Sequence, residues 1–194
     1  ASYLAEHPNI FVSDPKKPMY FLDKRDPNRK VKDEKHYRAL FKRAKDFRRV
    51  GEASVWYLYS DTAMKNIYKL YPEAKIIIMT REPVGFVSSL HSQLVFGGWE
   101  KDLCLQSAWT REVDRYHRNT FANEMTLERV SGWRLAYPEL TNQSKYIEKY
   151  QETFGFDNVL VVDLSELQES AKIVYEKAVG FLGLDSDSRS EFKV

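Results

Sequence analysis

Ala74-Lys75-Ile76-Ile77-Ile78-Met79-Thr80-Arg81-Glu82-Pro83 decides how this chain folds. A nearly unbroken apolar, β-branched run has the composition of a strand covered on both faces, as strands of parallel sheets are. Pro83 suits the first position of a helix, where its missing N–H would have found no helical carbonyl anyway. The stretch therefore predicts a buried strand, an exit at Arg81, and a helix that lasts until Gly97-Gly98 break it.

Working outward, Ser60 is placed to cap a helix over 60–71 that Pro72 ends, and 50–58 reads as a strand and its exit. Over 34–47 the apolar residues Tyr37, Leu40, Phe41, Ala44 and Phe47 fall at helical spacing, which predicts an amphipathic helix. Residues 16–32 are polar and turn-rich around Asp26-Pro27-Asn28; 1–7 read as the last turns of a helix stopped by Pro8, and 9–12 as a short strand. Downstream, helices are expected at 103–117, from 126, at 143–154 with Gly155 as cap, and at 166–182 with Gly183 as cap; 158–162 is another buried strand. Strands separated by helices argue an α/β fold, a mostly parallel sheet flanked by helices. No repeat, low-complexity tract or linker divides the chain, so a single domain over 1–194 is expected.

The 194 residues, 43% hydrophobic and 14% aromatic, suffice for one soluble domain with a core. The apolar runs are too short for a membrane span or a secretory signal. The lone Cys104 excludes an internal disulfide, and the four histidines, 7, 36, 91 and 117, lack metal-ligand spacing, so no metal site is expected. A bacterial cytoplasm is favoured over the lumen of the secretory pathway. Because the chain starts at Ala1 inside what reads as a helix, a fragment is expected.

Net charge is only +2, but residues 16–49 hold fourteen Lys/Arg against five acids. That local excess of nine leaves seven negative charges on the remainder, and such asymmetry marks either a surface for anionic ligands or an ordinary solvated face. Nucleic acid is a poor partner, since the basic region sits on no recognisable module and the rest is acidic. Trp56, Tyr57, Tyr59, Tyr68 and Tyr71, like Trp109 and Trp133, suit a sugar or adenine ring, but aromatics at these spacings are more often core.

Ligands of open α/β sheets gather at the carboxyl ends of strands, beside the N-termini of the following helices. Arg81 occupies that place. Its guanidinium would add a planar donor fork to the field of the helix terminus, a good grip for phosphate, and Ser89 two turns on would add a hydroxyl. The alternative is that Arg81 pairs with a neighbouring carboxylate and Ser89 merely packs.

Gly51-Glu52-Ala53-Ser54-Val55-Trp56-Tyr57-Leu58, the helix after it, and Ala74 to Pro83 with Ser89 resemble the core of the PAPS-dependent sulfotransferases of the Golgi and bacterial carbohydrate type. That resemblance implies a three-layer, P-loop-NTPase-like sulfotransferase fold. It also implies that Arg81 and Ser89, in an R-x-P motif with its serine, hold the 3′-phosphate of PAPS or PAP. His7-Pro8-Asn9-Ile10 and Phe154-Gly155 through Phe181-Leu182-Gly183-Leu184 fit the same register.

Two departures stand out. The family's K-x-G-T-[ST] phosphosulfate loop would precede Ala1, and its nucleotide-covering loop would follow Leu184. The sequence carries neither, so both ends are expected to be truncated. The second departure is at the base. The K-E-P-x-F-F stretch of many members is matched by Lys16-Lys17-Pro18-Met19-Tyr20-Phe21, with Lys17 where the glutamate would stand. An ordinary lysine, with a pKa of about 10.4, does not accept a proton at neutral pH. The resemblance leaves Glu52, His91 and Asp14 as candidate bases, with Lys17 on the acceptor side, against structural roles for each. The expected activity is transfer of a sulfonyl group from PAPS to a hydroxyl or amine acceptor, a carbohydrate or small molecule, without a metal. The competing expectation is a non-catalytic module of the same fold that binds an anionic glycan or nucleotide.

Overall fold

The computed structural model describes residues 1–117 and 132–192. Among the described residues four strands lie in two parallel pairs. β1 (Ile10–Val12) pairs with β2 (Arg49–Gly51), Phe11 opposite Val50. β3 (Ile76–Thr80) pairs with β4 (Val159–Asp163), Ile78 opposite Val161. The isoleucine run is thus matched by a valine-rich one, and the pair ends on a side-chain bond, Thr80 Oγ1 donating to Asp163 Oδ2 at 2.9 Å. Parallel strands joined through helices give the expected α/β fold.

The helices are α1 (Glu34–Ala39), α2 (Asp61–Leu70), α3 (Pro83–Phe96), α4 (Leu105–His117), α5 (Tyr137–Thr141), α6 (Gln143–Phe154), α7 (Leu164–Glu169) and α8 (Ala171–Phe181). Where local signals were strong, the boundaries follow them. The Ser60 hydroxyl caps α2 by accepting the Ala63 N–H, Pro83 opens α3 and Gly97 closes it. Gly155 and Gly183 take the left-handed φ values of 84° and 67° expected after helices. The helix expected from 126 begins outside the described residues.

Four readings change. The helix expected over 34–47 stops at Ala39; from there the chain turns on i−3 bonds, Phe41 N–H to Arg38 O and Ala44 N–H to Phe41 O among them. Those turns keep Phe41 and Phe47 on one side, where they meet Phe11 edge-on. The strand expected over 50–58 ends at Gly51 and gives way to a 3₁₀ turn, Val55–Tyr57. Ser170 splits the last helix in two by capping α8, accepting the Ile173 N–H. The opening helix is a single 3₁₀ turn, Leu4–Glu6.

By its internal contacts the chain forms two compact units: Ala1–Lys24, Asn28–Thr80 and Ile147–Val194 in one, Arg25–Pro27 and Arg81–Tyr146 in the other. The first holds all four strands. Its main core joins Met19, Phe21, Tyr37, Tyr57, Met64, Ile67, Ile78 and Phe154, so Tyr57 is a core residue. Tyr68 and Tyr71 are roughly half exposed, and Tyr68 packs edge-on against Phe154. The second unit is built around α3, α4 and α5, with Glu100 buried under donors from Arg111 and the Tyr137 hydroxyl. No described helix is long and apolar enough to cross a membrane.

Candidate functional site

In the second unit, Arg81 follows the last residue of β3 and precedes α3. Its backbone N–H donates to Gln143 Oε1 at 3.3 Å, and its side chain is exposed. The guanidinium folds over the first turn of α3: a Cβ built on Gly85 would lie 2.9 Å from both Nε and Nη2 of Arg81 and 2.1 Å from Glu82 Oε1. Glu82 is the helix cap, accepting the Gly85 N–H at 2.6 Å. Among the described residues no carboxylate forms an ion pair with Arg81. A planar cation that makes no ion pair, with the capping Glu82 carboxylate beside it, therefore lies on the N-terminal turn of a fourteen-residue helix.

Ser89 is one helical turn beyond Gly85, on the same face of α3 and half-buried, and its hydroxyl has no hydrogen bond to a described residue. Arg81, Gly85 and Ser89 thus share one end and one side of the helix. The composition gave Gly85 no role, although a glycine in a helix's first turn, where it lowers helix propensity, is the signal that could have pointed to it. His91 turns elsewhere. Its ring is buried, Nε2–H donates to the Asp102 carbonyl at 2.8 Å, and the ring packs beside Tyr137.

In the first unit, Glu52 follows β2. Its Oε1 accepts the hydroxyls of Tyr37 at 2.9 Å and Tyr57 at 3.2 Å, and its Oε2 accepts the Ser54 hydroxyl at 2.5 Å. Burial raises the pKa of the Glu52 carboxyl above the ordinary glutamate range, and the three hydroxyl donors partly oppose that rise. Burial beside that carboxylate also pushes both tyrosines well above the usual phenol range.

Ser54 and Tyr57 do more than donate. The Met19 N–H donates to Ser54 Oγ and the Phe21 N–H to the Tyr57 hydroxyl, each at 3.1 Å. The stretch carrying Lys17 is in this way joined to Glu52. Lys17 itself is exposed and has no partner among the described residues.

Asp14 is exposed on an open cleft of about 740 Å³, with Lys30, Lys32 and Arg43 also on its wall. Beside Lys30 and Lys32 in sequence, Asp33 is engaged by His36 and Glu34 by Arg38, and Asp14 shares the wall with the three cations. Among the described residues no group of three or more His, Cys, Asp or Glu side chains could hold a metal ion.

No family model matches the chain, and no match is found among curated proteins. Among solved structures it matches the crystal structure of a sulfotransferase from Alicyclobacillus acidocaldarius, with a TM-score of 0.74 and 26% identity over 98% of this chain and 79% of that one. The fold is sulfotransferase-like.

Proposed function

We propose that this chain is the core of a sulfotransferase that transfers a sulfonyl group from PAPS to a hydroxyl or amine of a carbohydrate or small molecule. The observation that carries the reading is the exposed Arg81 guanidinium, unpaired among the described residues and lying on the first turn of α3. The likeness to a solved sulfotransferase supports the reaction class.

PAPS, when bound, supplies the sulfonyl group and a 3′-phosphate. Arg81 offers that phosphate two parallel N–H donors, Ser89 adds a hydroxyl, and the terminus of α3 adds its own field. Lys17, an exposed ammonium, favours negative charge on the acceptor side, and Glu52 is the carboxylate tied to the same stretch. His91, buried and bonded to a backbone carbonyl, receives no proton-transfer role. The reading keeps 1–194 as one sulfotransferase-like domain and favours the bacterial cytoplasm, on the chain's single cysteine.

Calorimetric titration with PAP is the test. Binding is expected, with Arg81→Ala weakening it about 30- to 100-fold, the size of a lost charge-assisted pair of hydrogen bonds, and Ser89→Ala several-fold. Absence of PAP and PAPS binding, or an Arg81→Ala variant that binds as well as the parent, overturns the reading. The lysine at position 17 favours one second reading, a module that binds the nucleotide or an anionic glycan without transfer. PAP binding without consumption of PAPS would select it.

A further inference from the structure

We infer that Glu52 is a positioning residue, whose carboxylate fixes the backbone of residues 17–21 through two hydroxyl relays and so sets where the Lys17 side chain is presented. That Lys17 faces an acceptor rests on the proposed sulfonyl transfer; the relays rest on geometry alone.

Each hydroxyl has one proton to give and lone pairs with which to accept. Ser54 spends its proton on Glu52 Oε2, which turns its lone pairs to the Met19 N–H. Tyr57 spends its own on Oε1 and accepts the Phe21 N–H. The proton order in both relays is dictated by the carboxylate, which can only accept, and hydrogen bonds aligned head to tail strengthen one another. Tyr37 adds a third hydroxyl to the carboxylate, on Oε1, without joining either relay.

The two amides held in this way flank a costly turn. Met19 has φ of 54°, the left-handed region, which costs a side-chain-bearing residue about 1–2 kcal/mol and so needs outside support. The carbonyls nearby are held as well. Lys16 O accepts the Ala53 N–H at 2.8 Å, Pro18 O the Val31 N–H at 3.0 Å, and Tyr20 O the Arg29 Nε–H at 2.7 Å. Pro18, Met19 and Phe21 are buried and Tyr20 is half-buried, so Lys17 is the residue between Lys16 and Leu22 that faces out. A glutamate 35 residues away in sequence therefore shapes the stretch where the resemblance puts a glutamate and this chain has Lys17.

The test is amide exchange of the whole chain by NMR, with PAP titration beside it. Glu52→Ala is expected to speed exchange of both the Met19 and Phe21 amides at least about tenfold. Glu52→Gln should keep both within about threefold, because the carboxamide oxygen still accepts from the tyrosines and Ser54 Oγ can accept from both its N–H and Met19. Ser54→Ala should release Met19 alone and Tyr57→Phe should release Phe21 alone, and these two milder variants decide the matter if Glu52→Ala does not fold. PAP affinity should stay within about twofold in every folded variant. The inference is overturned if Glu52→Ala protects both amides as the parent does, if Gln fails as badly as Ala, or if the two single-relay variants release both amides together. A parent chain that shows the exchange pattern but binds no PAP would instead overturn the sulfonyl-transfer reading and leave the relays standing.

Discussion

Arg81 and Glu52 are both charged residues just beyond a strand, and they are treated in opposite ways. Arg81 is exposed, without an ion pair among the described residues, and its guanidinium lies beside near neighbours in sequence, Glu82 and Gly85. Glu52 is half-buried and accepts three hydroxyls, one of them from a tyrosine fifteen residues earlier. A charge left without a partner is available to a ligand. One enclosed by donors is committed to the protein, and removing it leaves those donors stranded.

That contrast can be broken by experiment. The largest effect expected on binding is the loss of PAP affinity in Arg81→Ala, with little change in the urea midpoint, since an exposed side chain leaves nothing buried behind. A parallel drop in stability would erase the distinction. Next is Glu52→Ala, expected to destabilise by about 2–4 kcal/mol in urea melts while leaving PAP affinity intact, as fits a buried network that loses its acceptor. An unchanged midpoint would show the hydroxyls to be indifferent to the carboxylate.

Gly85→Ala sharpens the Arg81 side. Alanine raises helix propensity by about 1 kcal/mol, but its methyl would displace both the guanidinium and the Glu82 cap. PAP affinity should fall about tenfold with stability nearly unchanged, and titration of the variant checks it.

The smallest effect expected is in pH dependence. Burial raises the Glu52 pKa above its ordinary value of 4.5, so the native state holds that proton more tightly than the unfolded chain does. The resulting stability is full below the unfolded value and is lost as pH rises through the folded one. Measured against Glu52→Gln, which does not titrate, the parent should therefore lose stability from about pH 4.5 towards neutrality. A parent that gains stability over that range would reverse the sign.

The same contrast explains what the sequence could disclose. The strand at Ile76, the start of α3 at Pro83 and the caps at Ser60, Gly155 and Gly183 all depend on residues within a turn of one another, and each was legible. Glu52 was visible as a carboxylate beside Ser54, but its partners Tyr37 and Tyr57 and the amides of Met19 and Phe21 are brought to it by the fold. Nothing in the spacing of those residues announces a shared carboxylate. The helix expected over 34–47 stops short for a related reason: i−3 turns and a true helix place Phe41 and Phe47 on similar faces, and only the hydrogen bonds tell them apart. Gly85 was passed over because its meaning lies in what occupies the space beside it.

That space makes one object of two. The helix start at Gly85 has no side chain of its own, and the Glu82 carboxylate and, beside it, the guanidinium of the residue four positions earlier lie where one would be. The arm that would reach for an anion is also what covers the first turn of the helix. Any substitution that refits the helix start therefore alters the arm, and the two cannot be tuned separately.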